Sequence, residues 1–279
     1  MLDFFDGILP VVVPTTDLFF MKYADFKKLT RNQEKLIFSL SRRRKRKQHG
    51  LCFCEGLRAC SELFTANPDL IHYGVVSESF DTKELSAFTN VDFYILPNNR
   101  FEQLTSTVNS QGILFLANIP SYSESFCIET PFILVLDRIA DPGNFGTIMR
   151  TALSVGLNEI WYSANTVDPF SEKTIRSALG AQFRLKLRAF EDLSTLVKQF
   201  RKQGFNTVYR TEPAGGKSCF DVDGLFDKSI IVFGNEASGV GSIENSVPLH
   251  IPMPGGFESV NVAQAVTVIL FDAVRRKSL

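Results

Sequence analysis

No window of this sequence approaches the roughly 18 uninterrupted apolar residues of a membrane-crossing helix. The apolar stretch at residues 8–20 is broken by Pro10, Pro14 and Asp17, and Asp3 and Asp6 precede it. It lacks the basic start and the Ala-x-Ala cleavage site of a secretory signal. Met21 opens a cleaner pattern, so residues 1–20 are expected to be an extension ahead of the fold. Cysteine is scarce: the five are Cys52, Cys54, Cys60, Cys127 and Cys219. Their number is odd, and the one-residue gap of Cys52-Phe53-Cys54 matches neither a zinc half-site nor a redox pair. Reduced, partly buried thiols in a cytoplasmic protein are expected, with no metal. Histidine is scarcer still, with only His49, His72 and His250 to serve as a general base. His250 ends an apolar stretch and reads more simply as structural.

Charge excess is absent as well. The 279 residues hold 30 Lys and Arg against 30 Asp and Glu, so any nucleic-acid contact must be local. Two nucleotide-binding signatures also fail. Gly239-Val240-Gly241 starts a dinucleotide fingerprint, but its third glycine position holds Glu244. Gly216-Lys217-Ser218 resembles the end of a phosphate loop, but the required first glycine is Thr211.

What is present is a hydrophobic fraction of 44% and a charged fraction of 22%, ordinary for a chain with a real core. Residues 22–47 read as helical, with Phe26, Leu29, Leu36, Ile37 and Leu40 at helical spacings. A strand and helix follow over 52–64, then strand-like runs at 71–76, 91–96 and 112–117. This is a small α/β unit. Residues 118–130, with Pro120, Ser121, Ser123 and Ser125, form a linker candidate ahead of Pro131. Alternation then strengthens. Strands are expected at 132–136, 159–162, 183–187, 205–209 and 230–233, and helices at 144–155, 171–179, 192–203 and 260–276. Such alternation implies a largely parallel sheet covered on both faces.

Three segments, each after an expected strand, are where such folds place ligands. The first is Asp141-Pro142-Gly143-Asn144 through Arg150, in which Pro142 and Gly143 turn the chain and Asn144 can cap the next helix. Arg150 lies six residues on, placed to face the same mouth as Asn144. The second is Gly234-Asn235-Glu236-Ala237-Ser238-Gly239, whose glycines admit a ligand to the backbone. The third runs from Ile251-Pro252-Met253 through a Pro/Gly loop to Ser259-Val260-Asn261-Val262-Ala263. It enters the last helix through a Ser or Asn cap, and Ile251, Met253 and Val260 can sandwich a flat base. One cationic cluster stands apart: Arg42, Arg43, Arg44, Lys45, Arg46 and Lys47. It is either a solvated helix end or a contact to an RNA backbone.

Taken in order, the three segments resemble the SpoU (TrmH-type) branch of the SPOUT RNA methyltransferases. They correspond to its Asn-x-x-x-x-x-Arg, Gly-x-Glu-x-x-Gly and Ile-Pro-Met…Ser-x-Asn-Val motifs. Asp168-Pro169-Phe170 and Arg176-Ser177-Ala178-Leu179-Gly180-Ala181 add a fourth match, and Val260 departs from the usual leucine. A looser match, from Arg31-Asn32 to Arg58, resembles the family's N-terminal substrate-binding domain. The resemblance covers roughly residues 21–277 and implies an α/β fold with a largely parallel sheet and a C-terminal trefoil knot. It adds a small α/β domain of ribosomal-protein type. The implied division is 1–20 extension, 21–117 RNA-binding domain, 118–130 linker and 131–279 knotted methyltransferase domain.

The resemblance further implies a homodimer that uses S-adenosylmethionine to methylate a ribose 2′-hydroxyl of ribosomal or transfer RNA, with ribosomal RNA favoured because of the attached N-terminal domain. Catalysis would fall to Arg150, Asn144, Glu236, Ser259 and Asn261. The cofactor would be held by Thr211, Phe233, Gly234, Asn235, Glu236, Gly239, Ile251, Pro252, Met253, Val260, Asn261 and Ala263. Arginine rarely gives up its proton, so Arg150 is expected to stabilise the developing alkoxide or to position a phosphate. The rival reading is a catalytically inactive RNA-binding or ribosome-assembly protein of the same fold.

Overall fold

The computed structural model describes residues 26–105, 107, 109–122 and 128–279. The expected extension at 1–20, Met21, Cys127 and part of the linker lie outside the described residues.

The first sheet is mixed. Its elements are β1 (Lys27–Lys28), α1 (Arg31–Ser39), α2 (Arg43–His49), β2 (Leu51–Glu55), α3 (Leu57–Ala66), β3 (Ile71–Ser77), β4 (Phe93–Leu96), α4 (Asn98–Leu104) and β5 (Ile113–Asn118). The strand order is β1-β4-β3-β5-β2, with β5 antiparallel to both neighbours. The expected single helix at 22–47 is not there. Thr30 and Gln33 close a capping box that starts α1 at Arg31. The hydroxyls of Ser39 and Ser41 then bond back to the carbonyls of Leu36 and Phe38, competing with helix continuation. The chain restarts as α2 and ends at Gly50, which is left-handed at φ 65°.

The second sheet is all parallel. It comprises β6 (Phe132–Leu136), α5 (Pro142–Ser154), β7 (Glu159–Ser163), α6 (Glu172–Ala178), β8 (Lys186–Phe190), α7 (Leu193–Arg201), β9 (Thr207–Thr211), β10 (Lys217–Ser218), β11 (Ser229–Phe233), β12 (Ser246–His250) and α8 (Val262–Arg275). The order is β10-β12-β9-β11-β6-β7-β8. The central strands β6 and β11 are buried throughout, as a sheet covered on both faces requires. Their alternate residues feed two cores. Phe132, Leu134, Leu136, Ile231 and Phe233 join the α5 and α8 side. Ile133, Val135, Ile230 and Val232 join Leu196, Val197 and Phe200 of α7. The strand expected at 183–187 lies at Lys186–Phe190, because residues Ala181–Phe183 form a 3-10 turn.

Cys52, Cys54, Cys60 and Cys219 are free and buried. Burial pushes the thiols of Cys52 and Cys54 well up, and that of Cys219 to about 11, so they stay uncharged near neutral pH. Among the described residues, no helix is long and apolar enough to cross a membrane, and no His, Cys, Asp or Glu cluster could hold a metal ion.

Candidate active site

The carboxyl ends of β9, β11 and β12 open onto one cleft of about 600 Å³. Parallel α/β sheets bind ligands at this edge. Thr211, Phe233 and the second-motif loop line it, together with Ile251, Met253, Ser259, Val260 and Asn261. Leu249, Ile269 and Ala265 add apolar surface that the sequence reading did not include. Glu212 and Pro213 were missed too, although they directly follow the strand end at Thr211. A separate polar groove of about 880 Å³, lined by His49, Tyr122, Arg184 and Lys186 among others, lies at the start of β8. That is the opposite end of the strands, and no residue of the three ligand-site segments lines it.

The second-motif loop is held by its own small residues. Asn235 Oδ1 accepts from the amides of Ala237 and Ser238 at 2.9 and 3.1 Å, and the amide of Gly239 donates to the Asn235 carbonyl. Gly234 has no room for a side chain: a Cβ there would lie 2.3 Å from the backbone of Gly239 and Val240. Arg138 fastens the loop from outside. Its Nη1 donates to Ser238 Oγ at 3.2 Å and its Nη2 to the Gly239 carbonyl at 3.1 Å. Its carbonyl accepts from Asn235 Nδ2, and Asp137 pairs with its Nε at 3.0 Å. Arg138 is left-handed at φ 59°, a strained state for a residue with a Cβ. Nothing in the sequence marked Arg138, since its role depends on a loop about a hundred residues away.

One hydrogen-bond chain joins the three motifs. Asn144 Nδ2 donates to Glu236 Oε1, and Asn261 Nδ2 donates to Asn144 Oδ1 at 2.9 Å. Asn261 Oδ1 accepts from the amide of Ala263 at 2.9 Å, so Asn261, and not Ser259, caps α8. Asn144 is free to bridge because it is not a cap itself. Asp141 caps α5 by accepting from the Asn144 amide at 2.8 Å, and Pro142 takes the first helical position. The expected cap at Asn144 is therefore corrected.

Several other expected site residues lie away from the cleft or the surface. Arg150 is exposed and does not line the cleft. At 100° per residue its direction on α5 differs from that of Asn144 by about 120°. Among the described residues its guanidinium has no hydrogen bond or ion pair, so the chain by itself does not bring Arg150 to the mouth. Ala263 is buried in the core beneath the cleft wall and serves through its amide alone. Pro252 is half-buried and outside the lining. Within the cationic run, Arg46 is buried and paired with Asp168, which removes it from any RNA surface. His250, read as structural, does not line the cleft, and among the described residues its buried Nδ1 has no hydrogen-bond partner.

A parallel sheet with a partly apolar cleft at its strand ends, closed by small-residue loops and an Asn–Asn–Glu chain, defines an α/β enzyme domain with a site for a small organic ligand. Residues 131–271 match the family model described as the SpoU rRNA methylase family, and residues 32–115 match that of an MRM3-like substrate binding domain. The chain belongs to the SpoU rRNA methylase family. It is 29% identical over 266 residues to an uncharacterized tRNA/rRNA methyltransferase of Synechocystis sp., covering 91% of this chain and 96% of that one. It is 30% identical over 186 residues to the 23S rRNA (guanosine(2553)-2′-O)-methyltransferase of Bacillus subtilis, covering 66% and 73%. The structure of a TrmH-family protein from Porphyromonas gingivalis superposes with a TM-score of 0.76 at 26% identity, over 89% of this chain and 99% of that one. The SpoU methyltransferase AviRb from Streptomyces viridochromogenes, in complex with AdoMet, shares the fold at a TM-score of 0.77 and 21% identity, over 89% and 98%.

Proposed function

We propose that this chain transfers the methyl group of S-adenosylmethionine to a ribose 2′-hydroxyl of RNA, with ribosomal RNA ahead of transfer RNA, in the cytoplasm and without a metal. The observation that carries this is the hydrogen-bond chain Glu236–Asn144–Asn261, which draws one residue from each motif to the rim of one cleft. The cleft suits the cofactor. Its volume of about 600 Å³ lies in the range of small-molecule sites, and apolar Phe233, Leu249, Ile251, Val260 and Ile269 offer walls to a flat base. Backbone groups of the loop at Gly234 and the side chains of Thr211, Asn235 and Ser259 supply polar contacts.

The bound cofactor would supply an electrophilic methyl on a sulfonium. The chain's own task is to present the hydroxyl oxygen in line and to stabilise its charge as its proton leaves for solvent. Glu236 and Asn261, tied through Asn144, order the mouth. Arg150 would stabilise the developing alkoxide, and because it does not reach the cleft of its own protomer, that role calls for a second copy. A homodimer is favoured by the apolar stripe Val268, Phe271 and Val274 on α8, which is exposed at helical spacing. Thr151 Oγ1 lies 3.2 Å from Thr267 Oγ1, so α5, which carries Arg150, packs against α8, which carries that stripe. Residues 131–279 would form the methyltransferase domain with a trefoil knot at its C-terminal end, 21–117 the RNA-binding domain and 118–130 the linker.

A calorimetric titration of the purified chain with S-adenosylmethionine separates this reading from that of an inactive RNA-binding protein of the same fold. Saturable binding that Gly234 and Asn235 variants weaken supports the enzyme; no binding overturns it. Mapping of 2′-O-methyl sites in ribosomal and transfer RNA from a deletion strain then identifies the substrate.

A further inference from the structure

The run of six cations at 42–47 is not one surface. Arg46 is 4% exposed, and its guanidinium is shared between the two sheets' units. Its Nε and Nη2 both donate to Asp168 Oδ2, at 3.0 and 2.6 Å. Its Nη1 donates to the carbonyls of Leu40 and Ser41 at 2.6 and 2.9 Å. The other carboxylate oxygen of Asp168 accepts from the Phe170 amide at 2.9 Å. One turn earlier on α2, Arg43 Nη2 donates to the Ala164 carbonyl at 2.9 Å.

The place of this contact matters. Ala164 and Asp168 follow β7, so α2 docks at the carboxyl edge of the parallel sheet, the edge that carries the cleft. Tyr162 lies near the end of β7. Its ring lies 5.6 Å from that of Phe145, the neighbour of Asn144. Burial and the nearby Asp168 hold the Tyr162 hydroxyl up at about 12, with Arg43 acting in the opposite direction. Farther along the interface, Arg176 Nη1 lies 3.6 Å from Glu55 Oε2, and Gly180, at φ 85°, would place a Cβ 3.0 Å from the Ala59 carbonyl. The cations left over are Arg42, Arg44 and Lys47, all exposed, and the half-buried Lys45.

We propose that Arg46 and Asp168 are positioning residues for methyl transfer: their buried pair latches α2 beside the methyl-transfer mouth, so that Arg42, Arg44, Lys45 and Lys47 meet the RNA backbone while the target ribose lies at the cleft. This rests on the reading of the cleft as an RNA methyltransferase site. The latch divides the run by task. Two arginines hold the helix down, and four cations face the substrate. A largely buried pair, in which Nε and Nη2 converge on one carboxylate oxygen, suits the first task, because either partner left alone would be a charge with little compensation. Exposed cations suit the second, because phosphate contacts position RNA without reading its sequence.

The test is steady-state methylation of ribosomal RNA by the full chain, with S-adenosylmethionine affinity measured alongside. Arg46→Met and Asp168→Asn are each expected to raise the KM for RNA about tenfold, to lower kcat less, and to leave the cofactor Kd within about twofold. Arg46→Lys, which keeps the charge without the fork, should recover part of the loss. Replacing Arg42, Arg44, Lys45 and Lys47 by Gln should raise the KM and flatten the salt dependence of RNA binding, by about 0.7 per lost contact if the strand is single. In the Arg46→Met background the same four changes should add little, because the latch acts through them. Full additivity overturns the proposal, as does an unchanged KM in both latch variants. Cofactor affinity lost in step with the KM by both also overturns it, since the pair is then merely structural. If Arg46→Met does not fold, Asp168→Asn, which keeps the acceptor for Phe170, decides alone. A wild-type chain that methylates no RNA refutes the functional reading; an active wild type with unaffected variants refutes the latch only.

Discussion

Gly234→Ala offers the sharpest mutational probe of the cleft. The added Cβ would lie 2.3 Å from the Gly239 carbonyl carbon and the Val240 nitrogen, and 2.4 Å from the Gly239 oxygen. Non-bonded heavy atoms rest at about 3.5–4.0 Å, so the two ends of the loop must part by roughly 1 Å or more. All of these atoms are backbone, and none can swing aside as a side chain would. Overpacking of this kind costs about 1–3 kcal/mol. The strain falls on the segment that carries Asn235 and Glu236, both of which line the cleft. If the loop must return to its native shape to bind, cofactor affinity falls by about 5- to 150-fold. Gly255→Ala is the control. It lies in the third motif's loop, has an ordinary φ and meets nothing within 4 Å. Calorimetry with S-adenosylmethionine on both variants, together with a melting curve of each unliganded chain, gives the comparison. Wild-type affinity in Gly234→Ala, or an equal loss in Gly255→Ala, would refute the reasoning.

Arg138→Ala removes two donors to the same loop, and with Arg138 partly exposed it should weaken cofactor binding by about 1 kcal/mol, roughly fivefold. Arg138→Gly should weaken binding as much yet melt no lower, because glycine relieves the left-handed backbone; a fully retained Kd in both would contradict the fastening role. Arg150→Ala should abolish turnover and leave the cofactor Kd within about twofold, and equal loss of both would remove Arg150 from the chemistry. Asp272 is buried and pairs with Arg275 and Arg276 at the end of α8. Asp272→Ala should cost about 3 kcal/mol, near the low end for a broken buried pair because Arg275 is exposed, and lower Tm by about 5–10 °C; a shift under about 2 °C would contradict it.

The parts of this molecule that were legible in the sequence are those with a short-range signature. Phe-Ile-Leu-Val-Leu at 132–136 and Ile-Ile-Val-Phe at 230–233 announce strands buried on both faces, and both lie in the sheet's centre. The glycines after β11 and the Pro/Gly loop after β12 marked the cleft, because backbone without side chains is what a ligand-approach loop needs. Failures arose where tertiary partners decide. β10 is two residues long and owes its existence to pairing with β12. The break at Leu40–Arg42 turns on hydroxyls that compete for helix carbonyls, which apolar spacing does not register. Arg46 looked like its five neighbours in the run. Only Asp168, a hundred and twenty-two residues away, removes it from the surface. Asn144 joins Glu236 and Asn261 as a bridge, a task that depends on residues about a hundred positions away, and not as the expected cap, since Asp141 had already taken it.

The central claim is that this cleft delivers a methyl group to a ribose oxygen. Incubating the full chain with unmodified ribosomal RNA and S-adenosylmethionine carrying a deuterated methyl, then digesting the RNA to nucleosides for mass spectrometry, tests it most directly. The account predicts label in a 2′-O-methylated nucleoside, with the mass gain on the sugar fragment and none on the base, and its loss in Arg150→Ala. Label on a base, or cofactor binding with no label in ribosomal or transfer RNA, would contradict it.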